Sequence, residues 1–282
     1  MILENTIRKA SQILKSNNIS THELDAEIIL SNILGVSREF LIVNNNINIK
    51  KKIIEKYELA IKRRIKREPV AYITGNKEFW SENFIISDAT LIPRPETELI
   101  IYKLINFFKN KRINILDIGT GSGCILLSML KHLIHSRGLG IDISPKAIQM
   151  AKINSKRLNL NDRSKFRVFD LNKFNLGKYD LIVSNPPYIP SRSIRNLSKD
   201  IINYEPIIAL DGGVDGLDLI KKVIYKANSL LKNRGLLALE IGNNQYQKVS
   251  NILKKNGYRE TGKEYDYKSN VRCIISTKVS FF

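Results

Sequence analysis

The chain is short of cysteine, histidine and long apolar runs, and each shortage removes a class of protein. Two cysteines, Cys124 and Cys273, in 282 residues cannot build a disulfide scaffold. A reducing compartment is therefore the default, and the cytoplasm is the expected location. Three histidines offer no metal site, because His132 and His135 stand one helical turn apart with no third ligand to join them. No apolar run reaches membrane-spanning length, so no membrane partner is expected. The start, Met1-Ile2-Leu3-Glu4, lacks the basic-then-apolar order of a secretory leader. Repeats and low-complexity segments are missing as well.

Acidic residues are also scarce, 27 against 46 Lys+Arg, for a formal net charge of +19. The excess is spread thinly, +5 over residues 1–70 and +14 over the remainder, so the chain has no basic arm. Lysine outnumbers arginine 30 to 16, a compositional bias more than a nucleic-acid footprint. No stable nucleic-acid partner is expected. One local cluster, Lys50, Lys51, Lys52, Lys56, Lys62, Arg63, Arg64, Lys66 and Arg67, reads as the solvated face of a helix, with a binding patch as the alternative.

What is present is a globular composition, 43% hydrophobic and 26% charged, with length for one large domain or a small one plus a medium one. Residues 1–69 read as a small helical bundle. Leu3, Ile7, Ala10 and Leu14 recur at helical spacing, and Ser20-Thr21-His22-Glu23 has the form of a capping box. Gly35 stands at a C-cap, Ser37 can cap a short third helix, and Ile53 to Ile65 mark a fourth stopped by Pro69. Residues 70–90 carry two aromatic and apolar runs about Ser81-Glu82-Asn83, the pattern of a β-hairpin connecting two domains.

From about 91 to 282, strands and helices alternate, which predicts an α/β doubly wound parallel sheet covered on both faces. The expected strands are Ile113–Ile118, Leu139–Ile143, Phe166–Phe169, Tyr179–Ser184 and Leu236–Ile241. Helices are expected over Gly123–Leu133, from Ser144-Pro145 to about Leu158, over Asp218–Leu231 and over Gln245–Lys255. Tyr258–Tyr265 and Val271–Thr277 would form a terminal antiparallel pair.

The first strand ends in Asp117-Ile118-Gly119-Thr120-Gly121-Ser122-Gly123. Glycines between a strand and a helix let a ligand approach the backbone. The dinucleotide fingerprint requires Gly at 124, where this chain has Cys124, and Asp117 beside the loop favours a cationic ligand over a pyrophosphate. S-adenosylmethionine, with a sulfonium and an ammonium, fits. Asp142 ends the second strand, where a carboxylate can accept from both ribose hydroxyls of any adenosine cofactor. Asp170, closing the third, can reach an adenine amino group or simply cap a turn.

The fourth strand ends in Asn185-Pro186-Pro187-Tyr188. Two prolines fix two φ angles and remove two N–H groups, leaving nearby carbonyls as free acceptors. The Asn185 side-chain oxygen and the Pro186 carbonyl together can hold both hydrogens of a planar NH2 group, with Tyr188 stacked on its plane. That arrangement suits methylation of a conjugated nitrogen, whose delocalised lone pair must be oriented. An adenine N6 amine and a glutamine amide both qualify. A nucleic-acid amino methyltransferase is thus the alternative activity, though it would need a target-recognition domain for which the chain has no room. A non-catalytic, ribosome-associated binding module is the third reading.

Several further segments carry a resemblance. Gly75-Asn76-Lys77-Glu78-Phe79-Trp80, Leu91-Ile92-Pro93-Arg94-Pro95-Glu96-Thr97-Glu98, the glycine loop and Asn185-Pro186-Pro187-Tyr188-Ile189-Pro190 resemble the release-factor glutamine methyltransferases. Tyr204-Glu205-Pro206, Asp215-Gly216-Leu217 and Leu239-Glu240-Ile241-Gly242 match in the same order. The resemblance implies an S-adenosylmethionine-dependent, Rossmann-like methyltransferase domain with a helical N-terminal domain that docks the substrate. It implies transfer to the glutamine of the Gly-Gly-Gln motif in class I peptide chain release factors, a translation-termination protein methylation. Gly119, Thr120, Gly121, Ser122, Gly123 and Asp142 would bind cofactor, with Asp170 and Leu171 at the adenine; relatives often carry an aromatic at position 171. Asn185 would touch cofactor and substrate, and Pro186, Pro187 and Tyr188 the substrate glutamine. Phe79 and Trp80 would either wall that pocket or belong to the core.

Overall fold

The computed structural model describes residues 2–279; the last three residues of the expected catalytic segment, and Met1, lie outside them. The chain forms two compact units. One holds the residues up to Asn76 together with Ser198–Tyr204, and the other holds Lys77–Leu197 and the chain from Glu205 onward.

The first unit is helical: α1 (Leu3–Ser16), α2 (His22–Leu34), α3 (Arg38–Val43), α4 (Lys51–Ile65) and α5 (Val70–Thr74), with a short helix Lys199–Ile202 from far along the chain. Apolar residues one helical turn apart supply its core, including Leu3, Leu14, Ile29, Leu30 and Tyr57. Gly35 ends α2 in the left-handed region and the Ser37 hydroxyl accepts from the Phe40 amide, both as expected. The capping box does not form. The N-cap of α2 is Thr21, and its hydroxyl donates to Asp25 Oδ2 at 2.9 Å instead of capping the helix. The basic cluster is not uniformly solvated either. Arg64 is buried, donating Nε to Asp25 and Nη1 to Asp200, each at 2.7 Å.

A hairpin opens the second unit, β1 (Asn76–Phe79), whose first residue is the last of the first unit, and β2 (Glu82–Ile85), followed by α6 (Glu98–Phe108). The remaining elements are β3 (Asn114–Ile118), α7 (Cys124–His132), β4 (Arg137–Asp142), α8 (Pro145–Arg157), β5 (Ser164–Val168) and β6 (Tyr179–Ser184), then α9 (Asp218–Leu230), β7 (Leu231–Glu240), α10 (Tyr246–Lys255), β8 (Tyr258–Tyr265) and β9 (Val271–Lys278). The seven strands lie in the order β5-β4-β3-β6-β7-β9-β8. All neighbours are parallel except β7/β9 and β8/β9. Helices cover both faces, so the apolar residues of β3 and β6 are buried, with Leu116 and Ile182 fully so. Ser144 caps α8 by accepting from the Ala147 amide, with Pro145 in the first turn. The hairpin is anchored to α8, where the Asn154 carboxamide exchanges hydrogen bonds with the Ile85 N–H and C=O at 2.8 and 2.9 Å.

Candidate active site

The order of strands reverses between β3 and β6, so the loops that follow them open on one crevice at the carboxyl edge of the sheet. A cleft of about 890 Å³ lies there. The glycine loop forms one wall. Gly119 and Gly121 have φ of 71° and 54°, with nothing within 4 Å of where a Cβ would stand, so the backbone faces open space. The loop is held from behind by Gly119 and Thr120 amides donating to the Ile141 carbonyl. Asp142, at the end of β4, accepts from the Gly121 amide at 3.0 Å and the Ser144 amide at 2.9 Å, one on each oxygen. Each oxygen keeps a second lone pair for a ligand.

Beneath the loop lies Asp117. It is fully buried; Oδ2 accepts from the Thr120 hydroxyl at 2.7 Å, and Oδ1 has no partner. Burial pushes its carboxyl up to about 7, against the Thr120 hydrogen bond and reinforced by the Asp142 carboxylate. Phe169, Leu171 and Ile143 give the cleft an apolar flank. This donor set fits a cationic adenosine cofactor: an ordered carboxylate for a diol, an apolar wall for a base, and buried negative charge where a cation would reduce the cost of ionisation. A pyrophosphate at the glycine loop would meet the Asp142 carboxylate.

Of the residues expected at a cofactor, Gly119, Thr120, Gly121, Ser122, Asp142, Asp170, Leu171 and Asn185 line the cleft, and Gly123 does not. Gly123 starts α7 in the left-handed region, close against Leu127, Ala151 and Phe166. Asp170 caps a short turn by accepting from the Asn172 amide at 2.9 Å. Leu171 stands where an aromatic is expected of relatives, and Phe169, the residue that follows β5, also lines the cleft; its place beside Asp170 was the available signal. Cys124 also lines the cleft, but burial pushes its thiol up to about 12, which removes it as a nucleophile.

On the substrate side, Asn185, Pro186 and Pro187 line the cleft, whereas Tyr188 and Phe79 do not. Phe79 is 1% exposed and sits edge-on to Phe84, so its place is in the core. Tyr188 turns toward β7 and β9: its hydroxyl lies 3.1 Å from Glu240 Oε1 and 3.0 Å from Arg272 Nη2. The stacking expected of Tyr188 is therefore not the arrangement found. Asn185 Nδ2 donates to Thr97 Oγ1 at 3.1 Å. Neither Asn185 Oδ1 nor the Pro186 carbonyl accepts a hydrogen bond among the described residues. Two free acceptors thus belong to consecutive cleft-lining residues at the switch point.

Sequence comparison gives the constellation a family. The most telling relative is the release factor glutamine methyltransferase of Clostridium acetobutylicum, 37% identical over 282 residues and covering 99% of both chains. The chain belongs to the release factor glutamine methyltransferases. The family's protein from Buchnera aphidicola subsp. Schizaphis graminum is 39% identical over 266 residues, 94% of this chain and 96% of that one. Residues 5–75 match the PrmC N-terminal domain and residues 109–269 a methyltransferase domain. Among solved structures, a methyltransferase from Pyrococcus furiosus shares the fold, with a TM-score of 0.51 at 18% identity over 70% of this chain and 89% of that one.

Membership of this family also gives meaning to residues that were visible only as parts of motifs. Glu205 is buried, accepting from the Arg94 guanidinium and, at 3.2 Å, from the Ile92 amide. It therefore ties the Tyr204-Glu205-Pro206 segment to the Leu91–Glu98 segment. Thr97 in turn joins Asn185 to Glu240, donating to Glu240 Oε2 at 2.6 Å. Motifs separated by more than 100 residues thus converge behind one asparagine.

Proposed function

We propose that the chain methylates the side-chain amide nitrogen of the glutamine in the Gly-Gly-Gln motif of class I peptide chain release factors, giving N5-methylglutamine, in the cytoplasm. The pair of free acceptors, Asn185 Oδ1 and the Pro186 carbonyl, carries this reading. A primary amide presents two coplanar hydrogens, and two acceptors on consecutive residues can hold both. Its nitrogen is a weak nucleophile because the lone pair is shared with the carbonyl, so fixing its direction is where the chain can contribute most to rate. No strong base is required, since the alkylated nitrogen sheds a proton to water readily.

S-adenosylmethionine, when bound, supplies the methyl group from a positively charged sulfur. Gly119 through Ser122 would lie along it, Asp142 would take its ribose hydroxyls, and Phe169 and Leu171 would flank the base. Asp117 would balance its positive charge from beneath the loop. The helical unit would dock the release factor, and its exposed lysines Lys51, Lys52, Lys56 and Lys62 would face acidic groups of that partner.

The test supplies labelled S-adenosylmethionine with a release factor, the same factor with its Gly-Gly-Gln glutamine replaced, and an adenine-containing DNA. Label should enter the intact factor alone. Transfer to DNA and not to the factor would establish the nucleic-acid alternative and refute this reading. Asn185→Ala should abolish transfer while leaving cofactor affinity within about threefold.

A further inference from the structure

A carboxamide has two ends of nearly the same shape, one a double donor and the other an acceptor. Asn185 can serve as an acceptor toward the cleft only if something prevents it from turning over. We infer that Thr97, Glu240, Tyr188 and Arg272 are positioning residues that fix the polarity of the Asn185 carboxamide, so that its oxygen faces the methyl acceptor. The inference rests on the proposed role of Asn185 and names what enforces it.

The argument is a count of hydrogens. Arg272 can only donate. Its Nη2 lies 3.0 Å from the Tyr188 hydroxyl and its Nη1 2.8 Å from Asn243 Oδ1. Tyr188 therefore accepts from Arg272 and spends its single hydrogen on Glu240 Oε1, 3.1 Å away. The other Glu240 oxygen lies 2.6 Å from Thr97 Oγ1. An ionised carboxylate has no hydrogen to give, so the Thr97 hydroxyl hydrogen points at Glu240. Thr97 Oγ1 is left as an acceptor, and the only end of Asn185 that can satisfy it at 3.1 Å is Nδ2. Oδ1 is thereby turned to the other side. Hydrogens run from both ends toward Glu240, which makes that buried anion the element that sets the direction of the whole row.

The links that end on Thr97 and Glu240 are shielded from bulk water, since Thr97 is 2% and Glu240 1% exposed. Arg272, 4.0 Å from Glu240 Oε1, supplies the balancing charge. Burial raises the Glu240 pKa, opposed by the Thr97 hydrogen bond, Arg272 and the Tyr188 hydrogen bond. A neutral carboxyl at this place could donate to Thr97, whose own hydrogen would then meet Asn185 and favour the reversed amide. The arrangement also accounts for Tyr188 lying outside the cleft: its hydroxyl is a link in the row.

Three variants of the 282-residue chain test this: Thr97→Val, Thr97→Ser and Glu240→Gln. Thr97→Val should lower kcat toward the release factor about 100-fold, the cost of misplacing a reacting group by a fraction of a bond length. Cofactor affinity by calorimetry should remain unchanged. Thr97→Ser, which keeps the hydroxyl, should recover kcat to within about threefold, and Thr97→Val added to Asn185→Ala should be no worse than Asn185→Ala alone. A readout free of substrate comes from nuclear magnetic resonance. The Asn185 carboxamide protons, assigned by their loss in Asn185→Ala, should show a nuclear Overhauser contact with the Thr97 methyl group. That contact should weaken in Glu240→Gln, whose amide can donate to Thr97. Full activity in Thr97→Val, failure of Thr97→Ser to rescue it, or absence of the contact in the wild type would overturn the inference. A wild type that shows the contact but does not methylate the release factor would instead overturn the proposed function and leave the amide orientation standing.

Discussion

Removing the carboxylate of Asp25 should cripple the helical unit while leaving the other unit's own transition in place. Arg64 has an 8% exposed side chain and Asp25 a 7% exposed one, joined at 2.7 Å. The second partner, Asp200, is more open at 29%. In Asp25→Ala the guanidinium stays buried with half its compensation gone, and Thr21 loses its acceptor. Breaking one side of such a pair costs about 3–5 kcal/mol, mostly from stranding the remaining charge. A unit of roughly 80 residues has about 4–12 kcal/mol of stability in all, so the loss takes a quarter of it or more. Arg64→Met removes the stranded charge and fills the space. The double variant Asp25→Ala/Arg64→Met should therefore be more stable than Asp25→Ala alone. Urea unfolding followed by circular dichroism at 222 nm reads the helices. Trp80, the only tryptophan, lies in the second unit and reports that unit by fluorescence. A loss under about 1 kcal/mol in Asp25→Ala, or strict additivity of the two substitutions, would refute the reasoning.

Two further outcomes follow from the cleft. Asp142→Ala should weaken S-adenosylmethionine binding by about 10- to 100-fold, the worth of charge-assisted hydrogen bonds to a diol, measured by calorimetry; unchanged affinity would remove Asp142 from the ribose. Asp117, raised to about 7 in the folded chain, favours the native state most when protonated. Its contribution is complete at pH below the ordinary carboxylate range, falls as pH rises toward 7 and is flat above. The stability difference between wild type and Asp117→Asn, from urea midpoints at pH 5.5, 7 and 8.5, should move against the wild type over the first interval and little over the second; a pH-independent difference would contradict the burial argument.

The catalytic architecture was legible in the sequence because its signals are local. Apolar strands end in glycine or in Asn-Pro-Pro, and Ser144-Pro145 opens a helix with two residues that do nothing else so well. What escaped notice was either featureless or distant. Helix α6 is an exception: Ile100, Ile101, Leu104 and Phe108 recur at helical spacing on one buried face, a period partly hidden by the adjacent apolar residues Leu99, Ile105 and Phe107. Helix α5 follows Pro69 and is too short for a period to show. The capping box failed because the Thr21 hydroxyl found a better acceptor in Asp25, itself committed to Arg64 on another helix. Pattern reading also had no means to place Thr97, Glu240 and Arg272 behind Asn185. Each is ordinary in its own neighbourhood, and only the sheet order brings β7 and β9 alongside the turn after β6. For the same reason Tyr188 read as a stacking ring: its partners lie 52 and 84 residues away.

The return of Ser198–Tyr204 to the helical unit has a practical consequence for anyone who divides this molecule. The polypeptide passes between the units three times, at Asn76, Leu197 and Tyr204. No single cut in the gene yields two intact pieces. A fragment ending at Asn76 lacks Asp200, and with it one of the two anions beside Arg64; a fragment starting at Lys77 carries seven residues that have lost their neighbours. An inactive fragment of either kind would report on folding, and point substitutions in the whole chain are the sound way to map what each unit contributes.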